Sequence, residues 1–318
     1  MAAACIGGAL GSCMGSMLFV ESIAKKEPSA MNLMTFATFG FISLIGLIFT
    51  TKFFTVPFKI PLRGYWKVVV VFFLVNVINN QALNYHVPVP LHIIFRSGSL
   101  LASLVLSVVY EGKRYNIRKY LSVIAITLGI IICTLATKVG EGSGMSAEEA
   151  SKYYVEWTIG IGMLTFALLA SAYLAILQGN MYREHGKHPD EAMFVTHAAS
   201  LPLFIFMAGD ISRAASVFSA DAPYTLGSIS LPIPTLWMEL FLACSFNYGC
   251  IYFVYSLNAS CEALTVTAVV TIRKFLSLAV SIVWFQNPFT LLHYLGTFFV
   301  IAGTVAFYDF EDPKKKKQ

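Results

Sequence analysis

Three cations stand where the sequence is otherwise apolar. Arg96 sits near the middle of VPVPLHIIFRSGSLLASLVLSVVY, residues 87–110, and Arg273 and Lys274 are adjacent in ALTVTAVVTIRKFLSLAVSIVWF, residues 263–285. Both stretches are long enough to cross a bilayer. A cation at mid-membrane costs at least about 2.5–3.5 kcal/mol, so such residues face a wet cavity or a partner rather than lipid. Fixed positive charge in a wet cavity is chemistry for holding an anion. At helical spacing His92, Arg96, Ser99, Ser103 and Ser107 share one stripe, away from most of the neighbouring leucines and isoleucines. In the second stretch Thr267, Thr271, Lys274, Ser277 and Ser281 form a polar stripe, while Arg273 shares its face with valines and Leu276. Adjacent helical residues point about 100° apart. Lys274 is therefore expected to face the cavity, and Arg273 to serve an acid or backbone carbonyls. Ion pairing of Arg96 with Glu21 or Glu239 is the structural alternative, although two acids near span ends do not match three deep cations.

Amides form a second group. Asn76, Asn79, Asn80, Gln81 and Asn84 crowd the end of one apolar stretch, where unsatisfied polar groups are costly. An amide offers donor and acceptor together, which suits a nucleobase edge or sugar hydroxyls. Asn247, Tyr248 and Tyr252 could add aromatic faces for stacking; interhelical hydrogen bonding or interfacial anchoring is the alternative for both sets. No zinc motif, phosphate-binding loop or nucleophile elbow is present, so no metal, cofactor or covalent step is expected. The six cysteines lie in or beside apolar segments without CxxC spacing. They are expected to be small packing residues, not metal ligands or a luminal disulfide.

These residues must be positioned by membrane-spanning helices. The chain has 318 residues, of which 57% are hydrophobic and 12% charged, about half the charged fraction of ordinary globular domains. That leaves little for a soluble domain. Ten apolar segments of spanning length follow: Ala3–Ala24, Met31–Thr50, Tyr65–Asn84, Val89–Tyr110, Lys119–Thr137, Trp157–Gln178, Ala192–Ala208, Pro234–Leu257, Ala263–Phe285 and Thr290–Phe307. Gly7, Gly11 and Gly15 make a small-residue face for close helix approach in the first. If both termini are cytosolic, fourteen Lys and Arg fall in cytosolic loops and tail against five on the opposite side, the asymmetry the positive-inside rule requires.

Tyr120-Leu121 and Gly129 recur as Tyr294-Leu295 and Gly303, and Arg96 recurs as Arg273. With five spans per half, this suggests two inverted-topology repeats. The expected fold is thus all-α, a polytopic membrane protein of ten transmembrane helices. Residues 1–137 form the first repeat, 138–156 an acidic luminal loop, 157–308 the second repeat, and 309–318 a basic cytosolic tail. Lys315 and Lys316 stand at the fourth and third positions from the end, the spacing of a dilysine signal for retrieval to the endoplasmic reticulum; a clamp on anionic headgroups is the simpler reading.

Several runs resemble a known family: Asn79-Asn80-x-Ala-Leu-Asn84, Pro90-Leu-His-Ile-Ile-Phe-Arg-Ser-Gly98, the stretch Leu264–Phe275 and Phe285-Gln-Asn-Pro-Phe-Thr290. They are similar to the nucleotide-sugar transporters of the drug/metabolite transporter superfamily, most of all to the UDP-xylose and UDP-N-acetylglucosamine subfamily. The resemblance implies exchange of a cytosolic nucleotide sugar for a luminal nucleoside monophosphate, with Arg96, Lys274 and Arg273 on the phosphates. Asn79, Asn80, Asn84, His92, Asn247, Tyr248 and Tyr252 are then the candidates for base or sugar. The GALNK and FYNN signatures of GDP-mannose carriers are absent, whereas insect-type relatives that carry GDP-fucose leave the base open. Expected partners are the two nucleotides, the bilayer and a coat receptor for the dilysine; no nucleic acid is expected, and a homo-oligomer is compatible. A transferase using a diphosphate donor, or a non-transporting receptor, are the readings from other classes.

Overall fold

The computed structural model describes residues 2–112, 114–141, 147–226, 229–260 and 263–307. Its helices are α1 (Ala2–Lys26), α2 (Met31–Phe49), α3 (Leu62–Gln81), α4 (Val89–Ser97), α5 (Ser99–Glu111), α6 (Ile117–Glu141), α7 (Ala147–His185), α8 (Pro189–Ser200), α9 (Ala208–Ser219), α10 (Thr235–Ser260), α11 (Ala263–Val283) and α12 (Leu291–Phe307). A short antiparallel hairpin, β1 (Pro223–Leu226) and β2 (Ile229–Pro234), precedes α10. Helices follow from composition, because lipid offers no partner to backbone N–H and C=O and the segment must satisfy its own. Among the described residues, eight helical runs are long and apolar enough to cross a membrane, and α12 is a shorter apolar helix.

The spans depart from their expected outlines at particular residues. The segment Val89–Tyr110 is two helices, interrupted at Gly98. A Cβ on Gly98 would lie 2.8 Å from Cδ1 of Ile130, so α6 occupies the space a side chain would need. Span seven is longer than Ala192–Ala208: α8 and α9 are joined through a 3-10 stretch, Leu201–Met207, that contains Pro202. Proline has no N–H for the α-helical ladder, which favours the local change of winding. The expected acidic loop 138–156 is mostly helical, with α6 running to Glu141 and α7 beginning at Ala147. Glu148 and Glu149 stand in the first turn of α7, where acids complement the positive end of the helix dipole. The hairpin was not anticipated; its prolines pair as Pro223 with Pro234 at the open end, a place where missing N–H groups are tolerated.

Close packing builds the bundle from pairs: α1 lies along α10, α6 along α12, α3 along α7, α2 on α8, and α4 on α11. Glycine makes the closest of these possible. Gly8 and Gly15 face the rings of Phe253 and Phe246, one pair two turns from the other. The expected face of Gly7, Gly11 and Gly15 is therefore rotated, since Gly7 and Gly11 are exposed with nothing within 4 Å of a built Cβ. Between α6 and α12, a Cβ on Gly129 would come within 2.5 Å of the Gly296 carbonyl oxygen. Behind α4, Leu91, Ile94 and Phe95 pack with Ile126, Ile130, Leu164 and Val300. That apolar backing turns the other side of α4, with His92 and Arg96, toward the interior.

Candidate functional site

The interior holds a cavity of about 290 Å³, at the low end for small-molecule pockets. Its polar lining comes from α1 (Ser16, Glu21), α2 (Thr35, Thr38), α3 (Asn76, Asn80), α4 (His92, Arg96), α10 (Asn247) and α11 (Arg273, Lys274, Ser277). Arg96 is solvent-exposed although it lies within the bundle, because its exposure is to this interior space. Nζ of Lys274 donates to the Arg96 carbonyl oxygen at 3.5 Å. That carbonyl belongs to the last turn of α4, where the Gly98 N–H also turns back onto it; the Lys274 contact therefore falls at the helix break.

Arg273 and Lys274 both line the cavity, which corrects the expectation that only one would. Side chains 100° apart can flank one space when the helix presents the edge between them, and both are long enough to reach it. Among the described residues Arg273 has no acid partner either: Nη1 donates to Sγ of Cys250 at 3.8 Å, and Nε is buried without an acceptor. The ion-pair alternative for Arg96 is not realised among the described residues. Glu239 accepts from Lys26 at 2.6 Å and Ser22 at 3.1 Å, while Glu21 accepts from Ser281 and Asn287. Among the described residues, three cations therefore face one cavity with no carboxylate in ion-pair contact with any of them.

The amide and aromatic candidates divide. Asn80 lines the cavity and donates to Oγ1 of Thr35 at 2.7 Å. His92 lines it as well, with Nε2 3.2 Å from the Asn79 carbonyl oxygen. Asn247 lines it from α10. Asn79 and Asn84 do not: their amides bond Asn80 and Gln81 respectively. Tyr248 and Tyr252 also turn away. The cavity face of α10 is Leu240, Ala243, Asn247 and Cys250, and Tyr252, 58% exposed, is about 200° round the helix from Cys250. The proposed stripe on span four likewise ends at the helix break, and Ser99 and Ser103 are absent from the lining. The side chains of Thr267 and Thr271, and the pair Lys315 and Lys316, lie outside the described residues.

Most of the cavity face of α1 escaped the sequence reading, which drew from this span only glycine packing and Glu21 as an alternative partner for Arg96. Cys13, Ser16, Met17, Val20, Glu21 and Ala24 repeat at steps of three and one along one side and all line the cavity. The expectation for the cysteines also needs correction. Cys13 and Cys250 are disulfide-bonded across a sequence separation of 237. Local spacing cannot register such a pair; the packing of α1 along α10 creates it.

Comparison with known proteins gives the arrangement a lineage. The chain is 47% identical over 304 residues to the endoplasmic reticulum GDP-fucose transporter of Drosophila melanogaster, covering 93% of this chain and 86% of that protein. It is 43% identical to the human nucleotide sugar transporter SLC35B4, covering 95% and 92%. It is 42% identical to the UDP-xylose and UDP-N-acetylglucosamine transporter of Danio rerio, covering 93% and 90%. A solved structure only 14% identical superposes with a TM-score of 0.51 over 94% of this chain and 95% of the other, a likeness of fold alone. The model of the UAA transporter family matches residues 1–311, nearly the whole chain, and on that match the protein belongs to the UAA transporter family: it is a transporter rather than an enzyme.

Proposed function

We propose that this chain is a nucleotide-sugar antiporter. It carries UDP-N-acetylglucosamine and/or UDP-xylose from the cytosol into the lumen of the endoplasmic reticulum or Golgi and returns UMP. The observation that carries the reading is the trio Arg96, Arg273 and Lys274 in the lining of one cavity, without acid partners among the described residues, a charge surplus that a diphosphate would neutralise. The names borne by the relatives from Danio rerio and human support the substrate class. In this reading Asn80, His92 and Asn247 meet the base or sugar. The two halves, residues 1–137 and 157–308, are inverted repeats of five spans each, with α11 and α12 completing the ten. The helix pairing supports that plan: the pairs α2 with α8, α4 with α11, and α6 with α12 each join equivalent spans, and α1 with α10 mirrors α3 with α7.

Both termini are cytosolic in this proposal, and the halves rock about the midplane to alternate access. A nucleotide sugar and the returning monophosphate each carry about two negative charges near neutrality, so the exchange is nearly electroneutral. A second reading, GDP-fucose as cargo, is favoured by the higher identity to the Drosophila protein. Counterflow decides between them. Proteoliposomes loaded with UMP or GMP are offered a panel of labelled nucleotide sugars, and UMP-dependent uptake of a UDP-sugar is the expected result. Uptake of GDP-fucose driven only by GMP would favour the second reading, and no counterflow by any member would sink both.

A further inference from the structure

We propose that Glu21 reads the cargo: its carboxylate accepts a hydrogen bond from a neutral donor on the transported molecule, a sugar hydroxyl or a base N–H. The inference rests on the transport reading above. Glu21 is fully buried at 0% exposure, yet it stands on the cavity wall. Its Oε1 is saturated, accepting from Oγ of Ser281 at 2.7 Å and from Nδ2 of Asn287 at 2.5 Å. Asn287 also donates to the Ser281 carbonyl oxygen at 2.9 Å, which fixes the pose of the group. Oε2 is buried with no hydrogen-bond partner among the described residues.

A buried carboxylate oxygen without a donor is costly and uncommon, and it calls for an explanation. Neighbouring cations do not provide one. Nζ of Lys25 donates to the Phe285 carbonyl oxygen at 2.5 Å, and Lys26 is paired with Glu239 at 2.6 Å. Glu21 is one of the residues that line the cavity, and a carboxylate is an acceptor only. Elsewhere in the lining, Nε of Arg273 is buried without an acceptor among the described residues. The two unmet atoms outline a complementary ligand, acceptor-rich beside Arg273 and donor-bearing beside Glu21. Ser281, which holds Glu21, is seven residues beyond Lys274 on α11, about 10 Å along the axis. That interval reaches from a diphosphate to a ring hydroxyl or a base, so Glu21 is placed to set specificity rather than to hold charge.

The test compares wild type, E21Q and S281A in proteoliposomes, reading half-saturating concentrations for a nucleotide sugar and for its nucleoside monophosphate. The E21Q side chain retains a carbonyl oxygen for Ser281 and Asn287 but presents an amide donor in place of Oε2. Its half-saturating concentration for the nucleotide sugar is expected to rise about tenfold or more, with thermal stability in detergent unchanged. If the donor is a sugar hydroxyl, exchange of the monophosphate stays at the wild-type level; if it is a base N–H, both ligands weaken. S281A, which removes the tether and leaves the carboxylate, should stay near wild type. Wild-type half-saturation by E21Q for both ligands overturns the proposal, as does an equal loss in S281A, which would make Glu21 a tether. Should E21Q fail to fold, Glu21→Asp, which withdraws the carboxylate by one methylene, is held to the same outcomes. A wild-type protein without counterflow would bring down the transport reading itself, and this inference with it.

Discussion

The Nζ of Lys274 and the carbonyl oxygen of Arg96 lie 3.5 Å apart, so one of the two cations best placed for an anion is bonded to the helix that carries the other. The contact joins α11 to the broken end of α4 and gathers positive charge that no carboxylate pairs with among the described residues. A dianionic ligand would be the missing partner, and its binding would draw the two helices together.

Charge removal at this junction is expected to abolish exchange. Arg96→Ala and Lys274→Ala each delete a charge-assisted contact worth about 1.5–3 kcal/mol, so uptake should fall at least about tenfold while membrane insertion is unaffected. Because the two share one ligand and one contact, the double variant should lose less than the product of the single losses. Undiminished counterflow in either single variant would contradict the phosphate role.

Cavity lining should separate the polar candidates. Asn80→Ala and Asn247→Ala remove groups from the wall and are expected to raise the half-saturating concentration about threefold to tenfold. Tyr252→Ala, on an exposed surface, should transport as wild type. Equal losses at Tyr252 and Asn247 would mean that the cargo meets a different face of α10.

The α6–α12 contact tolerates no side chain. Gly129→Ala places a methyl within 2.5 Å of the Gly296 carbonyl oxygen, where backbone rather than a mobile side chain must give way. A loss of about 1–3 kcal/mol is expected, read as a lower unfolding temperature in detergent. Gly7→Ala, with open space around it, should leave that temperature unchanged.

Glu191 ties the segment between α2 and α3 to the start of α8. Its carboxylate accepts from the Lys59 and Ile60 backbone N–H groups at 2.8 and 3.0 Å and from the Tyr65 hydroxyl at 3.0 Å. Glu191→Ala leaves three donors without their acceptor and should destabilise by about 2 kcal/mol or more. Tyr65→Phe removes one bond and should cost about 1 kcal/mol. A Glu191→Ala variant as stable as wild type in chemical unfolding would show that water satisfies these donors.

Helix identity and the residues worth watching were legible because lipid imposes them. Apolar runs of spanning length must be helical, and a cation inside one must find water or a partner. Arg96, Asn80 and Lys274 could be singled out on that ground alone. Orientation around a helix was less legible. The stripe through Ser99 and Ser103 assumed an unbroken helix, and Gly98, one residue with an ordinary helical φ and a ψ near zero, ended it.

What the amino-acid sequence determined by itself is the class of protein and the kind of residue that matters: an apolar helical bundle with cations in its spanning segments. Local composition is sufficient for that, since burial costs apply to each residue wherever it sits. Only the tertiary structure decided which groups meet. Whether Arg273 joins Lys274 at the cavity, whether Cys13 meets Cys250, and which oxygen of Glu21 is left without a donor all depend on how helices far apart in sequence rotate and pack. That rotation is set by side chains fitting against one another, such as Phe246 and Phe253 on Gly15 and Gly8, and no single segment carries that information.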